Sequence, residues 1–282
     1  MKNKIGIMCG RLSISPNKRI QEFPVNSWQN EFEYARNIGF ESIEWIFDLH
    51  ENPLMHDIGI KEIIEYSRNF SVMVNSVCAD YFMEKKLFGV SKFTLEENID
   101  TLLNLIRRCN KCGIRILELP FVDTSSLRNV SDRKQILKNL EPVLKIASEN
   151  DVILALETDL PPVQFQELLT KFNHPKIMAN YDVGNSTANC FDVAEELVTL
   201  KDWIINIHVK DRLRNGGTVP LGIGNTNFET FFSTLNKINY SGDLIVQGAR
   251  EDLTGNEISP VQTCRKYFEF VKQYVHKYLE MK

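Results

Sequence analysis

The segment 152–182, VILALETDLPPVQFQELLTKFNHPKIMANYD, contains the alternation that decides the fold. An apolar run at 152–156 ends on Glu157, a helical pattern covers 163–172, and a second apolar run at 177–181 ends on Asp182. Short runs rich in Ile, Val and Leu are typical of parallel strands that are buried on both faces. The segment therefore predicts a strand–helix–strand unit in which each strand stops at a carboxylate.

The same alternation extends over the whole chain. Eight strands are predicted, at residues 5–8, 42–47, 72–77, 114–119, 152–156, 177–181, 204–207 and 244–246. Eight helices are predicted between and after them, at residues 28–38, 61–70, 95–112, 132–150, 163–172, 193–201, 228–238 and 260–279. This strict alternation predicts an α/β fold, a (β/α)8 TIM barrel, as a single domain over 1–282. An open doubly wound sheet is the alternative, but no G-x-G-x-x-G follows the first strand.

Composition and charge limit the classes to which the chain can belong. Its 282 residues are 43% hydrophobic and 25% charged, which is ordinary for a globular protein. The formal net charge is −4 with acidic and basic residues mixed, so we expect no nucleic-acid partner. No stretch approaches 18 consecutive apolar residues, and the opening 1–13 lacks the apolar length of a signal peptide. We therefore expect a cytoplasmic protein with no membrane partner.

Six cysteines are scattered along the chain, at positions 9, 78, 109, 112, 190 and 264. In a chain of this length they are interpreted as reduced thiols and not as a disulfide framework. Cys109 and Cys112 form a C-N-K-C pair, which invites a redox or zinc interpretation. The sequence has no second such pair to complete a zinc set, and this pair lies at a predicted helix end. We interpret both as ordinary helix-end cysteines.

Four predicted strands end on side chains that can bind a metal ion, namely Glu157, Asp182, His208 and Gln247. The carboxyl ends of barrel strands form one rim, where the active sites of such barrels lie, so these side chains should converge. Together they offer three oxygens and one nitrogen to one divalent cation, and Mn²⁺, Mg²⁺ or Zn²⁺ could accept that set. Such a cation can chelate a sugar's carbonyl and hydroxyl and stabilise an enediolate, while a nearby carboxylate moves the proton.

Five segments resemble the xylose isomerase-like barrel superfamily, and specifically its sugar-phosphate isomerase/epimerase branch. They are LALET (154–158), NYDVGN (180–185), IHVKDR (207–212), VPLGIGNTNF (219–228) and NYSGDLIVQ (239–247). The resemblance implies one divalent cation, often Mn²⁺, bound by a glutamate, an aspartate, a histidine and a second glutamate. Matched residue by residue, these ligands fall on Glu157, Asp182, His208 and Gln247. In the epimerases the two glutamates also serve as the paired acid and base.

Gln247 departs from that pattern, because it stands where the family has its second glutamate. A side-chain amide neither takes nor gives a proton at ordinary pH, so a two-base inversion with this pair is in doubt. A one-base isomerisation by Glu157 stays open. The replacement acid/base groups are Glu118 in strand four, Glu44 in strand two and Lys210 after strand seven. The candidate catalytic set is therefore Glu157, Lys210 and Glu118.

Basic residues near the predicted mouth are candidates for binding an anionic substrate. Arg11 follows strand one and Arg250 follows strand eight, so the two should be neighbours where the barrel closes. Arginine suits carboxylate or phosphate because of its planar fork. With Lys210 and Glu44 they form the candidate substrate-binding set. The longest predicted loop, 211–227, follows strand seven and is a candidate lid.

The chain is therefore predicted to be a divalent-metal-dependent isomerase or epimerase-like enzyme acting on a small sugar or sugar phosphate. A metal-dependent lyase, dehydratase or hydrolase on the same barrel is one alternative, and a non-catalytic sugar-binding barrel is another. The superfamily's zinc-dependent abasic-site endonucleases are excluded, because Asn185 occupies the neighbourhood of one of their extra histidines and the chain has only five histidines. The expected partner is a small carbohydrate. Pairing into a homodimer, which is frequent in such barrels, stays open.

Overall fold

A computed structural model of the chain describes residues 3–15, 17–48, 51–251 and 259–280. The strands within these ranges are β1 (Ile5–Met8), β2 (Ser42–Ile46), β3 (Ser76–Cys78), β4 (Ile116–Phe121), β5 (Ile153–Thr158), β6 (Ile177–Asp182), β7 (Ile204–Val209), β8 (Asp211–Arg212), β9 (Thr218–Val219) and β10 (Leu244–Val246). All except β8 and β9 pair in parallel in the order β1-β10-β7-β6-β5-β4-β3-β2, and the sheet closes because β2 also pairs with β1. The predicted (β/α)8 barrel is confirmed.

Helices follow the strands and surround the barrel. The described helices are α1 (Trp28–Ile38), α2 (Asp57–Phe70), α3 (Tyr81–Glu84), α4 (Lys92–Cys112), α5 (Val130–Glu149), α6 (Pro162–Phe172), α7 (Val183–Ala188), α8 (Val193–Leu200), α9 (Phe228–Lys237) and α10 (Pro260–Val275). The two short helices α3 and α7 were not predicted, since four to six residues are too few to show a helical period. Both lie just beyond strand ends, at the mouth of the barrel.

The core lies inside the barrel and between the strands and the helices. Every residue of β1, β2 and β10 is buried, as expected for strands covered on both faces. The helices bury one face each. Helix α6, for example, buries Phe165, Leu168 and Leu169, which recur at helical spacing. In the described part of the chain no helix is long and apolar enough to cross a membrane.

The third strand differs from its prediction. The sequence places it at 72–77, whereas β3 covers Ser76–Cys78, and Met73 forms only an isolated bridge with Ser42. Val72 and Val74 are buried, so the apolar run marks burial without marking the residues that pair in the sheet. The true strand ends later, and this brings Asp80 to the mouth of the barrel.

The loop after β7 is built around one carboxylate. β8 and β9 form an antiparallel hairpin, and the chain then turns around Asp211. One oxygen of Asp211 accepts from the backbone N–H groups of Gly222 (2.9 Å) and Gly224 (2.8 Å), and the other accepts from that of Thr226 (3.1 Å). A Cβ at position 224 would lie 2.2 Å from Asp211 Oδ1, so only glycine allows this approach. The segment predicted as a lid therefore contains an ordered hairpin and turn.

The cysteine prediction is confirmed for all six positions, because none of these cysteines forms a disulfide bond. Cys109 and Cys112 both lie in α4, just before its left-handed cap at Gly113. Burial raises the pKa of the Cys112 thiol to about 12 and also raises that of Cys109. Neither thiol is therefore activated, which agrees with the interpretation as ordinary helix-end residues.

Candidate active site

Glu157, Asp182 and His208 converge at the carboxyl ends of β5, β6 and β7. One potential ligand atom from each lies within 4.8 Å of the other two. His208 Nδ1 is 3.2 Å from Glu157 Oε2 and 3.9 Å from Asp182 Oδ2, and all three side chains are buried. The register explains the convergence, because Asp182 pairs directly with His208 across β6 and β7. Side chains that share a register position on neighbouring strands can point into the barrel together.

A layer of amides lies two residues earlier on the same strands. Asn180 and Asn206 also pair across β6 and β7. Asn180 Nδ2 donates to Glu157 Oε2 (2.7 Å), and Asn206 Nδ2 donates to Asn180 Oδ1 (2.9 Å). Asn206 Nδ2 also lies 2.7 Å from Glu44 Oε2. This network holds the carboxylates of Glu157 and Glu44 in place, because the planar amides donate and accept hydrogen bonds in fixed directions.

Glu44 orients the imidazole of His208. Its Oε1 lies 2.5 Å from His208 Nε2, so Nδ1 is the nitrogen that faces Glu157 and Asp182. A carboxylate on the far nitrogen is the usual way to set the orientation of a metal-binding histidine. Burial would lower the pKa of His208, but Glu44 and Glu157 outweigh it and raise this pKa well above its ordinary value. The carboxylates around the ring therefore favour positive charge at the centre of the cluster.

Lys210 approaches the cluster from its solvent side. Its Nζ lies 2.8 Å from Asp182 Oδ2. Burial would raise the pKa of Asp182, but Lys210 and His208 outweigh it and lower that pKa. The lysine stem passes close over α7, where a Cβ at position 184 would come within 2.7 Å of Lys210 Cγ. Gly184 is therefore needed for the lysine to reach Asp182.

Glu118 is a further buried carboxyl group close to Glu44 and His208. It is fully buried on β4, and both of its oxygens lack a hydrogen-bond partner among the described residues. Burial and the negative charge of Glu157 raise the pKa of Glu118 well above its ordinary value. The charged form of Glu118 is therefore disfavoured compared with that of an ordinary glutamate.

Gln247 presents an unpaired oxygen at the end of β10. Its Nε2 donates to Gln21 Oε1 (2.8 Å), whereas its buried Oε1 has no partner within the residues that the structure describes. A buried amide oxygen without a donor costs free energy unless a ligand satisfies it. Two carboxylates and the Nδ1 of His208 lie at the ends of neighbouring strands, so this donor set suits one divalent cation.

A central cavity of about 220 Å³ adjoins this cluster through Glu157 and Lys210. Its charged and polar lining includes Arg11, Asp80, Glu118, Glu157, Lys210 and Gln247. Arg11 Nε donates to the carbonyl of Gly248 (3.0 Å), and burial together with the charge of Arg250 lowers the pKa of Arg11 to about 10. The predicted proximity of Arg11 to Arg250 across the closing seam therefore holds.

Two members of the predicted substrate-binding set lie elsewhere. Within the described residues, the cavity lining does not include Arg250 or Glu44. The guanidinium of Arg250 donates to the carbonyls of Gly10 and Ser13 and ties the loop after β1 to the last strand. Glu44 is fully buried beneath His208. Their role in substrate binding therefore stays a prediction.

Several residues of the site were not found from the sequence. Asn180 and Asn206 were recognisable in principle, because N-Y-D and N-I-H each place an amide two residues before a candidate ligand, on the same face of a strand. Asp80 was missed because the end of the third strand was placed too early. Gln21, which donates to Asp80 and accepts from Gln247, lies in a loop and gave no signal.

Fold and site together define a class, the (β/α)8 barrel enzymes that gather acids, an imidazole and an amide at the strand ends of β5, β6, β7 and β10. Residues 32–270 match the family described as the xylose isomerase-like TIM barrel. The chain belongs to this family.

Relatives and solved structures agree with that placement. The L-ribulose-5-phosphate 3-epimerase UlaE of Escherichia coli O1:K1 / APEC is 25% identical over 237 residues, which cover 78% of this chain and 81% of the relative. The structure of D-psicose 3-epimerase with D-tagatose from Clostridium cellulolyticum H10 superposes with a TM-score of 0.75, at 14% identity over 96% of this chain and 99% of the other. The structure of the IOLI protein with a bound zinc atom superposes with a TM-score of 0.79, at 15% identity over 99% of this chain and 100% of the other. The chain is an enzyme, and the relatives that it matches are sugar epimerases.

Proposed function

We propose that the protein is a divalent-metal-dependent epimerase or isomerase of a small ketose or ketose phosphate. The observation that carries the proposal is the convergence of Glu157, Asp182 and His208, together with a cavity whose lining includes Glu157 and Glu118. The 3-epimerase relatives support the reaction class, since their names describe inversion at the carbon beside a ketone.

Glu157, Asp182, His208 and Gln247 would hold the cation. A bound divalent cation supplies Lewis-acid polarisation of a carbonyl oxygen and offsets the charge of an enediolate. Mn²⁺, Mg²⁺ and Zn²⁺ all accept such a set. The structure of the IOLI protein, which shares this fold, contains a bound zinc atom, and this supports a metal-dependent reaction. The orphaned Oε1 of Gln247 is the feature that fits a cation best, because the described residues give it no donor.

Glu157 is the base that removes the proton from the carbon next to the ketone. Its two oxygens are held by different amides, with Asn180 Nδ2 on Oε2 (2.7 Å) and Asn185 Nδ2 on Oε1 (2.6 Å). A base held in this way is already oriented, so little orientational entropy is lost when the transition state forms. Lys210 neutralises Asp182 nearby, and Arg11 gives the cavity a cationic wall for an anionic group.

Glu118 is the group that returns a proton. Gln247 cannot do so, and Glu118 is buried, unpaired and biased toward the protonated form. Delivery from Glu118 to the carbon that lost its proton gives the epimer. Removal of a proton from C1 of the ketose and its return to C2 by Glu157 gives aldose–ketose isomerisation instead. The two outcomes differ in the carbon that loses its proton and in the group that returns one.

The test is exchange with solvent deuterium. The purified protein with Mn²⁺ is incubated in D₂O with D-tagatose, D-fructose and L-ribulose 5-phosphate, and the products are followed by NMR. Deuterium should enter at a carbon beside the ketone with formation of an epimer or aldose, and Glu157→Gln should abolish it. Metal-dependent turnover without such exchange would indicate the lyase, dehydratase or hydrolase alternative and overturn the proposal.

A further inference from the structure

A second cleft adjoins the central cavity and has about three times its volume. The volume of the second cleft is about 650 Å³, and that of the central cavity is about 220 Å³. Val122, Asp123, Asn185 and Arg212 line both spaces, so the cleft opens directly off the cavity. The strand loops that follow β4 to β7 form its walls, including the turn of the β8–β9 hairpin at 215–217. We call this space the outer cleft.

The two volumes suit different parts of one ligand. Pockets for drug-sized molecules measure about 300–1,000 Å³, so the central cavity is below that range and suits a single monosaccharide ring. The outer cleft falls within the range and exceeds what the same ring could fill. A substrate confined to one ring would leave the larger of the two connected spaces unused.

The outer cleft is lined by planar polar groups in a fixed arrangement. Arg128 Nε lies 3.1 Å from Asp159 Oδ2, and its Nη2 donates to Asn189 Oδ1 (2.7 Å). Ser126 Oγ donates to the other oxygen of Asp159 (2.7 Å). Carboxylate, amide and guanidinium groups present paired donors and acceptors, and such pairs match neighbouring hydroxyl groups.

The charges of the outer cleft are balanced. Its lining has two arginines, Arg128 and Arg212, and two aspartates, Asp123 and Asp159. Arg128 is already paired with Asp159. A phosphate dianion would meet carboxylates as often as guanidinium groups, whereas an uncharged polyhydroxylated unit can use both.

The shared wall connects the outer cleft to the proposed base. Arg212 Nη1 donates to Asn185 Oδ1 (2.8 Å), and Asn185 Nδ2 donates to Glu157 Oε1 (2.6 Å). The same guanidinium donates from Nη2 to the carbonyl of Gly216 (2.8 Å), which is itself part of the cleft lining. A unit bound in the outer cleft therefore contacts the residues that orient Glu157.

We propose that the outer cleft is a second subsite that binds an uncharged glycosyl unit attached to the reacting ketose. The substrate class is then a keto-sugar glycoside, with its ketose ring in the central cavity. This inference rests on the proposed function for the reaction itself. Arg128 and Asn189 bind the added unit, and Arg212 with Asn185 transmits its presence to the base.

The test compares a ketose with its own glycosides. kcat/KM is measured for D-fructose and for two disaccharides with a free fructose ketone, isomaltulose and lactulose. At least one disaccharide should exceed D-fructose by about 10-fold or more, which a few well-placed hydrogen bonds supply. Arg128→Ala should remove most of that advantage and leave kcat/KM for D-fructose within about two-fold of its value in the unmodified enzyme. The reason is that this variant loses a charge-assisted hydrogen bond only in the outer cleft. The Arg128 side chain is 60% exposed, so the fold should tolerate its removal.

Lys85 provides a matched control. Lys85 lines a different cleft, beside α3, and Lys85→Ala should leave both substrate types unchanged. Equal kcat/KM for D-fructose and both disaccharides overturns the subsite. A preference for L-ribulose 5-phosphate that Arg128→Ala abolishes overturns the glycosyl assignment in favour of an anion.

Binding separates the subsite from the reaction. Saturation-transfer NMR on Glu157→Gln with isomaltulose should show contact at the protons of the glucosyl ring, and Arg128→Ala should weaken it. That result without turnover of any sugar by the unmodified enzyme would reject the proposed reaction and keep the subsite. Saturation confined to the fructose ring would reject the subsite whatever the reaction is.

Discussion

Glu44 Oε1 lies 2.5 Å from His208 Nε2, although 164 positions separate the two residues in the chain. The contact crosses the interior of the barrel from β2 to β7 and decides which nitrogen of the ring faces Glu157. We expect Glu44→Gln to weaken Mn²⁺ binding about 10- to 100-fold, as the loss of such an outer partner typically does. Titration calorimetry measures this. Gln keeps the shape of Glu, so an unchanged affinity would mean that Glu44 does not position the ring.

Glu157→Ala should abolish both cation binding and turnover. The side chain is a proposed ligand and the proposed base, and it contributes to no strand pairing. Circular dichroism should show an intact fold, and calorimetry with Mn²⁺ should show no saturable binding. Retained turnover in this variant would contradict both roles. Asp182→Asn provides a comparison, since it removes charge from the cluster and leaves the base in place.

Glu118→Gln should separate proton removal from proton return. Glu157 still abstracts the proton, so deuterium should still enter recovered substrate, whereas formation of the epimer should fall by about 100-fold or more. NMR in D₂O reports both quantities in one sample. Parallel losses of exchange and epimer would show instead that Glu118 serves binding or structure. The thermal midpoint should not fall, because Glu118 has no hydrogen-bond partner to lose among the described residues.

Gln247→Glu should strengthen cation binding. An anionic ligand replaces a neutral amide oxygen, and the affinity of such sites rises with the charge of their ligands. We expect a gain of about 10-fold in Mn²⁺ affinity, which is the size of one modest electrostatic contact. Gln247→Leu is the control, because it fills similar space without an oxygen and should weaken binding. Equal affinities for all three proteins would place Gln247 outside the ligand set.

Glu196 should make stability depend on pH. This buried residue of α8 accepts from Tyr181 Oη (3.1 Å) and from Ser186, and burial raises its pKa from 4.5 to about 7. The folded state therefore binds a proton that the unfolded state releases above pH 4.5. Its contribution is fully present below pH 4.5 and is lost as the pH rises through 7, at a cost of up to about 3 kcal/mol.

Urea unfolding between pH 4.5 and 8 measures this dependence. The unfolding free energy of the unmodified protein should fall relative to that of Glu196→Gln as the pH rises, because the amide cannot ionise. The difference between the two proteins should change most between pH 5 and 7.5. A constant difference across that range would mean that Glu196 does not titrate there.

The sequence predicts the rim of the barrel better than the layers beneath it. Glu157, Asp182 and His208 were recognisable because an apolar strand that stops on a polar residue leaves few choices for where that residue points. Convergence then follows from closure of a parallel barrel. Asn180 and Asn206 carry the same alternation, but their partners lie on other strands, and no local pattern shows which amide meets which carboxylate.

Errors arose where long-range pairing overrides local pattern. Val72 and Val74 are as apolar as any strand residue. Apart from the isolated bridge at Met73, however, the third strand pairs with β4 only from Ser76 and with β2 only from Val77. The substrate-binding roles of Glu44 and Arg250 rest on position near the mouth and stay predictions. The hydrogen bonds of the two side chains, to His208 and to the carbonyls of Gly10 and Ser13, depend on the whole fold and could not be read from local sequence.

Three backbone amides of the loop after β9 converge on the carboxylate of Asp211. A segment already folded around its own internal anion has little conformational entropy left to lose when a molecule arrives. The loop above β7 is therefore preordered before a ligand binds. A preordered loop selects ligands by shape, and little binding free energy is needed to rearrange it.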